Sequence, residues 1–252
     1  MGMWPMLVSW GPVRLSSFGV VLVIAGFLGA FRIWRIGREA HFEEDKIFDA
    51  VLLVGFWGLL GARLAYVAEH WQGWLAAVSV TTYPGLAVWG GLAGGIVGLW
   101  GISRKLQWDF FEAADMFMPG WLLAWSVGWL GVWLSVSRPG LITHLPLLAL
   151  AFGLAVAGLA GKWEKEYRTY EWYKGKRAEG KPGLVFLAGL AGMSLVQLMW
   201  DWRFAGVAVV AMIAIYGRAE RRLSEDLGLL TRRRPHPKRL GIKQGVDAAA
   251  RK

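Results

Sequence analysis

Long apolar runs separated by short charged connections make up most of the chain. Seven of them, at about 16–34, 47–70, 84–102, 110–136, 141–161, 183–200 and 203–217, have the continuity of membrane-crossing helices, the last being short. Roughly 20 apolar residues in a helix cross a bilayer core of about 30 Å. The pattern predicts an all-α integral membrane protein with seven transmembrane helices over residues 1–217. A basic, largely disordered tail over 218–252 follows them.

The placement of charge orients these spans. Arg32, Arg35, Arg38 and Lys46, then Arg104 and Lys105, then seven Lys and Arg from Lys162 to Lys181 and eleven from Arg218 to Lys252 fall on one side. Only Arg14, Arg138 and Arg203 fall on the other. The positive-inside bias puts the amino terminus outside and the carboxyl terminus in the cytoplasm, which an odd number of spans requires. The amino terminus shows no basic start followed by a compact apolar core and cleavage site, so the first span is expected to direct insertion itself.

Composition agrees with this class: 56% of residues are apolar, 18% are charged and 17 are Trp, many near span ends as interfacial aromatics require. The net charge of +10 resides in connections and tail, so it argues for anionic headgroups and against nucleic acid. With no Cys, thiolate catalysis and disulfides are excluded. No pair among His41, His70, His144 and His236 has metal-ligand spacing, and no cofactor is expected.

Candidate chemistry starts with Arg63, in the run Ile47 to Tyr66. An intramembrane Arg costs about 3 kcal/mol on insertion scales, so it is expected either to meet an anion near the headgroups or to snorkel there. In the third span Gly90, Gly94 and Gly98 share one face, as do Gly91 and Gly95. Such stripes admit a neighbouring backbone, or make a smooth wall for an acyl chain. Glu112 and Asp115, three apart, are read as capping their helix or pairing with Arg104 or Lys105. His144, beside Pro146, is an interfacial residue or a base.

Several of these stretches resemble the bacterial phosphatidylglycerol–prolipoprotein diacylglyceryl transferases. The resemblance runs through Trp10-Gly11-Pro12 with Phe18-Gly19, Gly61-Ala62-Arg63-Leu64-Ala65-Tyr66, Trp89-Gly90-Gly91, Gly94-Gly95, Gly128-Trp129-Leu130-Gly131 and Lys181-Pro182-Gly183, in order over about 200 residues. It implies a multi-pass protein of the bacterial cytoplasmic membrane that moves diacylglyceryl from phosphatidylglycerol to the lipobox Cys of a preprolipoprotein signal peptide. Arg63 and His144 would be catalytic in such a protein. Phe18, Tyr66, Trp89, Gly90, Gly91, Gly94, Gly95, Gly128 and Gly131 would bind substrate. Trp129 stands where the family carries its signature Arg, and Ser194 at the Arg of the penultimate span, so the alternative is a phospholipid- or lipoprotein-binding protein of the same fold without catalysis.

Overall fold

The computed structural model describes residues 6–10, 13–70, 85–135, 145–173 and 182–219. Within them lie α1 (Ser17–Glu39), α2 (Glu44–Glu69), α3 (Val88–Leu106), α4 (Phe110–Ser135), α5 (Leu145–Tyr173), α6 (Leu184–Gln197) and α7 (Phe204–Ala219). Four carry stretches long and apolar enough to cross a membrane: Ser17–Glu39, Glu44–Glu69, Phe110–Ser135 and Leu145–Lys162. Two more expected spans, α6 and α7, are shorter apolar helices. The third expected span, α3, is diluted by its glycines and ends on Arg104 and Lys105.

The described chain is helical as expected, with one short hairpin added before its first helix. Before α1, β1 (Met6–Trp10) pairs antiparallel with β2 (Val13–Ser16), Trp10 opposite Val13 and Val8 opposite Leu15, with an irregularity between Met6 and Val8. Two β-capable runs separated by two residues are hairpin spacing. Ser16 closes β2 and caps α1, its Oγ accepting from the Gly19 N–H at 3.1 Å.

Helix ends follow from local chemistry. After α1, Phe42 N–H donates to Gly37 O and His41 N–H to Arg38 O, with His41 left-handed at φ 63°. After α3, Trp108 N–H donates to Ser103 O and Gln107 N–H to Arg104 O, with Gln107 at φ 57°. Both are Schellman closures. The aromatic residues that follow them, Phe42 and Trp108, meet edge to face at 4.8 Å and lock the two helix ends together.

Packing is organised by small residues. α2 packs extensively against α3 because a glycine stands on each side of the crossing: a Cβ at Gly61 would come within 2.9 Å of Gly94 Cα. α1 crosses α4 where Gly29 meets Gly120, and α4 touches α6 where Gly189 lies under Met118 and Leu122. At the end of the molecule marked by Asp115, Ile36, Ile47, Ala50, Leu99, Ala113 and Met116 form one buried cluster shared by α1 to α4. A second cluster joins Leu92, Leu122, Leu190, Met193 and Phe204. Outward faces stay apolar, with Phe27 74% and Ile213 67% exposed, as lipid-facing helices require.

Asp115 ties α6 into this frame. Its carboxylate, 7% exposed, accepts from the N–H groups of Gly183 at 2.6 Å and Phe186 at 2.7 Å. It therefore caps a helix distant in sequence, whereas the sequence reading placed it on its own helix or against Arg104 and Lys105. Gly183 sits at φ 101° with Phe111 where a Cβ would be, so the position requires glycine twice over. The end of α4's own lead-in is closed by Asp109, which accepts from Phe111 and Glu112 N–H.

Candidate functional site

At the opposite end, the last two turns of α2 gather charged and aromatic groups. Arg63 Nη1 donates to Gly85 O at 3.1 Å, and its guanidinium carbon lies 5.7 Å from the centre of the Tyr66 ring. Tyr66 stacks on His70 at 4.6 Å and fills the space beside Gly85, where a Cβ could not fit. Ala87 N–H donates to Ala62 O at 3.0 Å, so residues 85–87 run extended along α2 before α3 begins. This contact places Arg63 against the entry to α3.

Three further groups join that rim. Trp89 Nε1 donates to Glu69 Oε1 at 2.8 Å. Arg203, at the start of α7, pairs with the same carboxylate oxygen through Nη1 and lies 5.6 Å from the centre of the Trp89 ring. Asp201 Oδ1 lies 4.0 Å from Arg203 Nε and accepts from Arg203 N–H. The α2–α3 pair is thereby clasped to the turn between α6 and α7. The sequence reading did not single out Glu69 or Asp201. The available signal was Arg203 itself, a cation on the cation-poor side of the span pattern.

Away from the rim, toward the end that carries Asp115, a gap no larger than about one water molecule opens between α3 and α4. Val54 of α2, Leu92, Gly95, Ile96 and Leu99 of α3, Phe117, Met118 and Trp121 of α4 and Phe186 of α6 line it, all apolar. Arg63 lies nine residues along α2 from Val54, about 14 Å at 1.5 Å per residue.

The structure distributes the sequence candidates among three settings. Arg63, Tyr66 and Trp89 come together at the rim. Gly90, Gly91 and Gly94 face α2 at Ala65, Ala62 and Gly61, while Gly95 lies under the Trp121 ring beside the gap. Phe18 and Gly131 touch across the α1–α4 crossing, and Gly128 faces open space. His144 lies outside the described residues. Among the described residues no His, Asp and Glu cluster is arranged to hold a metal ion.

Fold and site together define a helical chain with several apolar helices of membrane-crossing length and a rim of charged and aromatic groups at one end. The sequence profile described as prolipoprotein diacylglyceryl transferase matches residues 5–225, and the chain belongs to that family. It is 26% identical over 152 residues to phosphatidylglycerol–prolipoprotein diacylglyceryl transferase 2 of Clostridium perfringens, covering 58% of this chain and 59% of that protein. It is 27% identical over 145 residues to the transferase of Synechococcus elongatus, covering 56% of this chain and 50% of that one. Against that of Mycolicibacterium paratuberculosis it is 32% identical over 154 residues, 58% of this chain and 35% of the relative. The chain thus spans a third to six-tenths of the length of these relatives.

Proposed function

We propose that the protein transfers diacylglyceryl from phosphatidylglycerol to the lipobox Cys of a preprolipoprotein, working in the bacterial cytoplasmic membrane. In this reading seven helices cross the bilayer, with the amino terminus and the Arg63 rim on the outer side. The observation that supports the proposal is Arg63 held beside Tyr66 at the entry to α3, in a chain of this family.

The chemistry is a displacement at the glycerol carbon bearing the phosphate. The Cys sulfur forms the new C–S bond, the C–O bond to phosphate breaks, and glycerol phosphate leaves with the electron pair while the thiol proton passes to a base. Arg63 supplies a charge-assisted donor to the phosphate oxygens, a role whose loss typically lowers rates by about 10²–10³. One of its present acceptors is the neutral Gly85 carbonyl, which a phosphate oxygen would replace. His144 is the base proposed from sequence, and Glu69 and His70 are groups at the rim able to take up a proton.

The test is transfer of labelled diacylglyceryl from phosphatidylglycerol vesicles to a lipobox peptide. Wild type should modify the peptide and Arg63→Ala should be slower by about 10²–10³. Equal rates for the two would remove Arg63 from the chemistry.

A further inference from the structure

At the end of the bundle opposite the rim, α1 carries three arginines, and two of them reach carboxylates. Arg35 Nε pairs with Glu39 Oε1 at 3.2 Å, and Arg38 Nε pairs with Glu44 Oε1 at 3.4 Å. Arg32 lies deeper, seven residues before the helix ends at Glu39, about 10 Å along the axis of a helix long and apolar enough to cross a membrane. Among the described residues it makes no ion pair and no hydrogen bond.

The Arg32 side chain is nevertheless seated. It is half-buried and lies against Gly161 of α5, which is buried. A Cβ at Gly161 would meet Arg32 Nη2, with the guanidinium carbon 3.5 Å away, so only glycine leaves room for it. The residues beside this seat offer no acceptor. Leu28, one turn earlier on α1, Phe31 next to Arg32, and Leu159 just before Gly161 are exposed and apolar, as lipid-facing positions are.

A guanidinium has five N–H donors and does not lose its proton, so without an acceptor it costs more than an unpaired neutral donor would. At the end of an apolar span the bilayer supplies a group of matching chemistry, the phosphate of a phospholipid, which a guanidinium binds in a bidentate fork. A headgroup with net negative charge suits it better than a zwitterionic one, whose ammonium competes for the same phosphate. We infer that Arg32, seated on Gly161, binds an anionic phospholipid at the α1–α5 edge. The phosphate sits on the guanidinium, and the acyl chains run past Leu28 and Leu159. Ile33 and Ile36 beside it belong to the cluster at the Asp115 end, whereas Arg63 belongs to the rim at the other end, so this lipid is not the proposed substrate. The site stands whether or not the chain transfers diacylglyceryl.

The experiment is native mass spectrometry of the full chain released from detergent, carrying Arg63→Ala so that the rim does not contribute. Phosphatidylserine and phosphatidylcholine with the same acyl chains are titrated separately. One phosphatidylserine should bind about tenfold more tightly than phosphatidylcholine, the lower end of what a hydrogen-bonded charge contributes. Arg32→Gln should bring that ratio near one and leave the phosphatidylcholine affinity unchanged, which also reports an intact fold. Gly161→Ala keeps the arginine but fills its seat, and should lower the ratio as well. Arg35→Gln removes a cation already paired with Glu39 and should leave the ratio as it was. Equal losses in Arg32→Gln and Arg35→Gln would show diffuse attraction to a basic edge and overturn the inference. A ratio near one with Arg32 intact, or one unchanged in Arg32→Gln, overturns it too. If inorganic phosphate abolishes the preference, the seat takes a soluble anion and the lipid assignment is wrong.

Discussion

Removing the Asp115 carboxylate should detach the amino-terminal end of α6 from the bundle. The two N–H donors it receives, from Gly183 and Phe186, are the kind a helix start cannot satisfy within itself. Hydrogen bonds to a charged group contribute about 1.5–3 kcal/mol each, and burial leaves both donors without water when the carboxylate is deleted. Asp115→Ala should therefore cost about 3–5 kcal/mol, within the range found for breaking a buried charged network. For a chain of this size that lowers Tm by roughly 6–20 °C. Asp115→Asn keeps one accepting oxygen but turns an amide donor toward the other N–H, so it should fall between wild type and Asp115→Ala. The assay is thermal unfolding of the purified protein in one detergent, followed by intrinsic Trp fluorescence. Asp115→Ala within about 1 °C of wild type would refute the capping argument, since it would mean that both N–H groups find partners without the carboxylate.

Three other outcomes follow from the packing and the rim. Gly61→Val should separate α2 from α3, because its Cβ would fall against Gly94 Cα and the Gly90 carbonyl; a loss of folded yield is expected, whereas Gly55→Val, whose Cβ would meet open space, should express normally. His41→Gly should raise Tm slightly, by the equivalent of at most about 1 kcal/mol, because His41 is exposed and holds a left-handed φ of 63° that glycine adopts freely. The Glu69–Arg203 pair is 26% and 47% exposed, so a double-mutant cycle with Glu69→Gln and Arg203→Gln should give a coupling of no more than about 1 kcal/mol that falls with added salt. A salt-independent coupling would show the clasp to be screened from solvent.

Helix positions were legible because an apolar run in a membrane has one solution, a helix that satisfies its own backbone. The glycine stripe announced a close helix neighbour, and Gly61 against Gly94 is that neighbour. The start of α3 was placed four residues early, at 84 rather than Val88, because hydropathy cannot register that Ala87 donates to Ala62 and holds its stretch extended. The hairpin before α1 was passed over because a scan for long apolar runs has no sensitivity to five-residue strands.

Contacts between distant parts of the chain were not legible at all. Asp115 and Gly183 are 68 residues apart, and Glu69 and Arg203 are 134 apart. A carboxylate's own neighbours in sequence say nothing about which helix start or cation the fold will bring to it. Arg63 stood out in the sequence because an intramembrane cation is expensive wherever it lies. Its setting beside Tyr66 and Gly85 came only from the structure.

In the proposed reaction Arg63, beside Tyr66 at the entry to α3, supports displacement of glycerol phosphate from phosphatidylglycerol. Phosphatidylglycerol labelled differently in its diacylglyceryl group and its headgroup glycerol, incubated in vesicles with the protein and a lipobox peptide, tests it directly. Diacylglyceryl label is expected on the peptide sulfur, with an equal amount of headgroup label released as soluble glycerol phosphate, both lost together in Arg63→Ala. Vesicles in which wild type binds the lipid yet moves neither label would contradict it.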